Sequence, residues 1–210
     1  MTDTAAAPPT AGPPATGTSA AALPRKPRKV FLVVGLVVAV ALGIGLFTSI
    51  GTKKNAGPPQ AGGPVPSFTA PRLNGSGTVA VPADGGGGGT PAVLLFFGEW
   101  CTQCHAELPP LAAAVRHQEH AGGALAKVHV IGVDSDNSKS VGEGFVKSAG
   151  VEFPVAQDAV IAITNGDFYF QGDPYAVFVK GDGTISDIVP GPLSVAKFTA
   201  EEKKLIPSES

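Results

Sequence analysis

The chain has 210 residues, enough for one domain with extensions, and a net charge of −2 that hides an asymmetry. Six of its fifteen basic residues precede position 55, and from Ser67 onward nine Lys/Arg face sixteen Asp/Glu, so that part carries −7. So acidic a domain is excluded as a binder of nucleic-acid phosphates, and two cysteines set three apart exclude both a multi-disulfide framework and a four-cysteine zinc site.

Residues 1–24 are nearly all Ala, Pro, Thr and Gly, and with the basic group after them they make a disordered tail over 1–29. Val30–Ile50 (VFLVVGLVVAVALGIGLFTSI) carries no charge. As a helix it spans about 31 Å, close to the roughly 30 Å hydrocarbon core of a bilayer, which predicts one transmembrane helix. A cleaved signal peptide would have a shorter apolar run and an A-x-A-like site, whereas this run ends in Phe47-Thr48-Ser49-Ile50-Gly51; the expectation is a retained anchor. Arg25, Lys26, Arg28 and Lys29 precede the helix and only Lys53 and Lys54 follow it. The positive-inside rule then gives a single-pass protein of the cell membrane, N-terminus cytoplasmic and the rest extracytoplasmic. Gly35, Ala39 and Gly43 recur every fourth residue and would let two helices approach, so the expected state is monomer or weak homodimer. The Gly/Pro-rich stretch 51–66 reads as a linker, and 67–206 as the folded domain.

Within that domain Thr78–Val81 reads as a short strand and Gly85–Gly89 as a flexible hairpin loop. No Lys-Ser/Thr follows those glycines to make a phosphate cradle. Ala92–Phe97 (AVLLFF) is the continuous apolar run of a strand buried on both faces. Cys104–His120 has a helical pattern, which Pro109 and Pro110 should bend or restart. Lys127–Asp134 is a second core strand, and Ser138–Ser148 a helix with a side-chain cap. Tyr175–Val179, a Gly181-Asp182-Gly183 turn and Thr184–Val189 make a hairpin, and Ser194–Leu205 a closing helix. The order predicts an α/β fold, a mixed central sheet covered by helices on both faces.

The chemistry sits at Trp100-Cys101-Thr102-Gln103-Cys104-His105, where a buried strand turns into a helix. Unpaired N–H groups and the helix dipole stabilise an anion there, which makes Cys101 the expected nucleophile. Cys104, one turn on, is placed to attack the resulting mixed disulfide. Glu107 lies three residues after Cys104 and neighbours it on the helix.

These residues resemble the thioredoxin superfamily, and within it the membrane-anchored TlpA/ResA-like disulfide reductases. The shared features are an apolar strand into Trp-Cys-x-x-Cys, then Glu107-Leu108-Pro109, then Gly172-Asp173-Pro174 before a strand and a Gly-Asp-Gly turn. The resemblance implies a thioredoxin-like fold and a thiol–disulfide oxidoreductase using Cys101 and Cys104. It makes Glu107 a tuner of cysteine pKa and proton transfer, and Pro174 a cis-proline that, with Trp100 and Asp173, meets an extended substrate segment. It also implies extracytoplasmic protein disulfides as substrates, a membrane electron donor, and no cofactor or metal beyond the redox-active disulfide. Among possible substrates are apocytochromes during cytochrome c maturation.

Three positions depart from the pattern. Leu95 stands where thioredoxin has a buried Asp, Asp173 stands where a neutral residue is common, and Thr102-Gln103 matches neither the reducing nor the oxidising pair between the cysteines. Asp173 facing Cys101 would raise its pKa and disfavour acidic substrates. Competing readings are a peroxiredoxin-like peroxidase, which would want a threonine at Gly98, and a non-enzymatic holder of copper or thiol proteins using the two thiolates and a histidine. The C-x-x-C-H spelling also matches haem attachment, though Met1 is the only methionine available as a second axial ligand.

Overall fold

The computed structural model describes residues 57–81, 89–136 and 138–206; the predicted membrane helix over 30–50 and most of the glycine loop lie outside them. Among the described residues no helix is long and apolar enough to cross a membrane.

Because Ala92–Phe97 (β3) is apolar throughout, both of its faces need cover, and the sheet is built around it. The five strands run β5(Val155–Gln157), β4(His129–Asp134), β3, β6(Tyr175–Val179), β7(Ile185–Pro190). β3, β4 and β5 are parallel, while β6 runs antiparallel to β3 and β7 to β6. A separate antiparallel hairpin joins β1(Phe68–Pro71) to β2(Thr78–Val81).

Alternate residues of β3 feed two cores. Val93, Leu95 and Phe97 pack with α1(Thr102–Ala121), α2(Lys139–Ser148) and α3(Val195–Leu205), through Leu108, Leu111, Phe145 and Phe198 among others. Leu94 and Phe96 face the hairpin residues Phe68, Val79 and Val81, and Phe168 and Phe170. All three α-helices therefore pack on one face, and the helical cover on the other face is a π-helical segment. Both parallel crossovers, β3 to β4 and β4 to β5, step the same way across the sheet, and right-handed crossovers then deliver both helices to one side. The other side is closed by the hairpin and a π-helical segment, Ala162–Asp167.

Three expectations are corrected. α1 continues through Pro109 and Pro110 and does not restart there; both prolines and the residues whose carbonyls they leave unpaired, His105 and Ala106, are exposed, where water can take the bonds. Ser138 occupies the N-cap of α2 but makes no side-chain capping bond, whereas Ser194 caps α3 by accepting from Lys197 N at 3.3 Å. The end of the expected linker is docked rather than free. Gly62 N donates to Ile185 O (2.8 Å), Val65 N donates to Gly183 O (3.0 Å), and the Val65 side chain is buried. These bonds shield the edge strand β7. β1, β5 and the π-helical segment were not anticipated.

Phe168 is 1% exposed and packs against Phe68, Phe96 and Phe170. Phe168→Ala should cost roughly 3–5 kcal/mol of stability in urea unfolding; a loss under about 1 kcal/mol would show that this face contributes little.

Candidate active site

The strand-to-helix junction predicted from sequence is present, and it brings the two cysteines together. β3 ends at Phe97, Cys101 is the N-cap of α1, and Cys104 lies in its first turn. The two form a disulfide with Cα atoms 5.3 Å apart. Cys101 Sγ accepts a hydrogen bond from Cys104 N at 3.1 Å, the role an N-capping oxygen usually takes. A thiolate at Cys101 would receive the same N–H, now charge-assisted, at the positive end of the helix. Cys104 is fully buried and Cys101 nearly so.

Sheet register carries the other groups to this edge. Phe97 pairs with Asp134 at the end of β4, and Phe96 with Tyr175 at the start of β6, so Asp173 and Pro174 sit beside the end of β3. The Asp173–Pro174 peptide is cis. Ser135 Oγ donates to Asp173 Oδ2 and also lies 3.2 Å from Phe97 O. One hydroxyl proton cannot serve both acceptors; a proton on Asp173 would let it donate to Ser135, which then donates to Phe97. Burial, only partly offset by the Ser135 bond, raises Asp173 to about 6.

Glu107 Oε2 accepts from Leu193 N at 2.7 Å, tying α1 to the approach to α3. Burial raises its pKa to about 7 against the lowering by that bond, and Asp173 adds to the rise. Trp100 is 57% exposed, so it belongs to the surface rather than the core. Its indole lies over Gly98, where a Cβ would run into the ring and into Ser135 Oγ. His105 Nε2 donates to Glu99 O at 2.7 Å and the ring packs on Phe145 with centroids 4.6 Å apart, so His105 braces the loop before Cys101.

Several residues were not singled out by sequence. Asp136 Oδ2 accepts from Glu99 N at 2.9 Å and holds the loop ahead of the cysteines. Asp158 accepts from Ile163 N (3.0 Å) and Thr164 N (2.7 Å), anchoring the π-helical segment. Asp134 is fully buried, neither of its oxygens has a partner at full hydrogen-bond geometry among the described residues, and Gly142 of α2 lacks a Cβ where one would strike that carboxyl. Burial, with Asp136 next to it, pushes Asp134 up to about 8. Asp134 is thus a buried acid on β4, the strand beside β3, where Leu95 carries none. The only local signal was an Asp-Ser-Asp run closing an apolar strand.

Residues 61–185 match the AhpC/TSA family. The thiol–disulfide oxidoreductase ResA of Bacillus subtilis (strain 168) is 26% identical over 172 residues, covering 81% of this chain and 89% of that protein. A secreted Mycobacterium tuberculosis disulfide oxidoreductase, described as homologous to E. coli DsbE, superposes with TM-score 0.54 at 25% identity, over 66% of this chain and 96% of the other. MTB dsbF gives TM-score 0.56 at 24% identity, over 66% and 94%.

Asp134, Glu107, Asp173 and Glu202 are all raised, mainly by burial, to about 8, 7, 6 and 7. A raised carboxyl holds its proton in the folded state where the unfolded chain has lost it, so its stabilising share is full below the unfolded pKa and disappears as pH climbs through the folded one. Unfolding experiments should therefore find the domain more stable near pH 5 than near pH 9, with much of the upper part of that loss removed by Asp134→Asn; a flat profile in both proteins would refute the assignment. With its cysteine pair at the head of α1 and a thioredoxin-like sheet behind it, the chain belongs to the AhpC/TSA family of the thioredoxin superfamily.

Proposed function

We propose that this thiol–disulfide oxidoreductase works outside the cytoplasm, tethered by a helix over 30–50, and mainly reduces disulfides in other proteins. The observation that carries the reading is the Cys101 sulfur at the helix N-cap, accepting the Cys104 N–H, with Cys104 buried behind it. In the reduced form the Cys101 thiolate attacks one sulfur of a target disulfide. The target S–S bond breaks, one target sulfur leaves as thiolate and takes a proton, and a mixed disulfide forms. Cys104 then loses its proton, attacks Cys101 Sγ and releases the second target sulfur. The target gains two electrons and two protons, and the chain is left as the Cys101–Cys104 disulfide. A membrane electron donor must return the two electrons. Glu107, one helical turn from Cys104 and held near pKa 7, suits the task of taking and returning the Cys104 proton.

Electrostatics supports the reducing direction. Ionised Asp173 and Glu107 disfavour a nearby thiolate and so favour the disulfide over the charged reduced form. The orientation follows from the basic residues ahead of position 30, and the M. tuberculosis relative described above is itself a secreted protein.

Cys104→Ser should trap mixed disulfides with extracytoplasmic partners on non-reducing gels while Cys101→Ser traps few, and the opposite pattern would reverse the roles. In a glutathione or dithiothreitol buffer the pair should equilibrate well below the roughly −180 mV of protein disulfide isomerase, toward thioredoxin's −270 mV; a value near −120 mV would make it an oxidant. Protease added to intact spheroplasts should digest the domain and spare a fragment of about 50 residues, whereas a soluble form starting after Gly51 would indicate a cleaved leader.

A further inference from the structure

Beside Trp100 lies a cavity of about 240 Å³, bounded by Trp100, Ser135, Ile161, Thr164, Gln171 and Asp173 among others. We propose that this cavity is a subsite for a cationic side chain, lysine or arginine, carried by the substrate protein next to its disulfide, and that Asp173 and Thr164 select it. The inference rests on the reading of the chain as an enzyme of protein disulfides.

Size comes first. Small-molecule sites usually occupy about 300–1,000 Å³, so this space suits one side chain better than a cofactor. Its walls mix apolar and polar side chains. Trp100 is 57% and Ile161 42% exposed, as a rim that packs an aliphatic stem would be. Two polar groups in its lining lack partners among the described residues. Thr164 is 4% exposed with Oγ1 unbonded, and Asp173 Oδ1 is buried and unbonded although Oδ2 is held by Ser135. A buried polar atom without a partner costs about 1–3 kcal/mol, a cost a ligand can remove. Both atoms can accept a hydrogen bond, and an ammonium or guanidinium offers donors only.

Charge decides the sign. Asp136 and Asp158 both act on Asp173, and with it they set a negative field. No cluster of three or more His, Cys, Asp or Glu among the described residues is arranged to hold a metal ion, so a metal does not account for these acids. With nine basic against sixteen acidic residues from Ser67 onward, the whole domain draws basic partners. The pocket also has a fixed frame, since Asp158 anchors the backbone at Ile163 and Thr164 through both carboxylate oxygens.

The test uses the full-length protein in detergent, reduced beforehand, with peptides that differ only in carrying Lys, Leu or Glu beside one half of an internal disulfide. Rate constants for peptide reduction are read by mass spectrometry. The expected order is Lys, Leu, Glu, with Lys about tenfold ahead of Glu at low salt. Asp173→Asn should collapse the Lys-to-Glu ratio several-fold, and Thr164→Val should lower Lys relative to Leu. Using ratios within each variant removes any general loss of activity. If a variant does not fold, the unaltered protein still decides: about 0.5 M salt should erode the lysine preference. Equal rates for all three peptides, or a preference untouched by both salt and Asp173→Asn, would overturn the subsite alone. Failure to reduce any peptide would overturn the disulfide-exchange reading and the subsite with it.

Discussion

The structure depends on one junction, where a strand with no solvent face runs straight into a helix whose first turn is capped by sulfur. β3 can be apolar at every position only because two cores cover it, and those cores fix its end against β4 and β6. α1 therefore starts where the central strand of the sheet ends, with the unpaired N–H groups of its first turn at that end. An oxygen cap would stabilise the helix equally well. Putting Cys101 there makes helix capping and thiolate stabilisation the same interaction, so the reactive sulfur is held by the fold and not by a mobile loop.

Around that sulfur two electrostatic influences oppose each other. The helix N-terminus favours a thiolate by about 0.3–1 kcal/mol at exposed sites and up to about 2 where partly buried. The carboxyls oppose it only when ionised. With Asp134 near 8, Glu107 near 7 and Asp173 near 6, a different subset carries charge at each pH. In mildly acidic solution most are neutral, and above pH 8 most carry charge, so any pull they exert against a thiolate is confined to neutral and alkaline solution.

What could be read in the sequence follows the range of the interactions involved. β3 and β6 were legible because AVLLFF and YAVFV are local patterns, and the cysteine pair gained meaning from the strand before it. β5 was not, since three residues carry no periodicity and its pairing with β4 alone makes it a strand. Pro109 and Pro110 did not restart the helix because they and the residues one turn back, His105 and Ala106, are exposed, where water can replace the lost internal bonds. In the site, Cys101, Cys104, Asp173 and Pro174 were found as motif residues. Asp136 reaches Glu99 across 37 positions and Ser135 reaches Asp173 across 38, separations at which one sequence holds no pairing signal. Asp134 was hidden differently, because its burial depends on the missing side chain at Gly142 on another element.

A thioredoxin-like scaffold hosts both disulfide exchange and peroxide reduction, so family membership alone does not choose between them. The choice is made by the residue three before Cys101. A peroxidatic cysteine would be served by a threonine hydroxyl at that place, but position 98 has no room for one: even a Cβ meets the Trp100 indole and Ser135 Oγ. Accepting a threonine would mean displacing the indole and shifting Ser135, whose hydroxyl is linked to Asp173 and Phe97. The bare backbone at Gly98 leaves room for the Trp100 indole, which lies over it and stays more than half exposed.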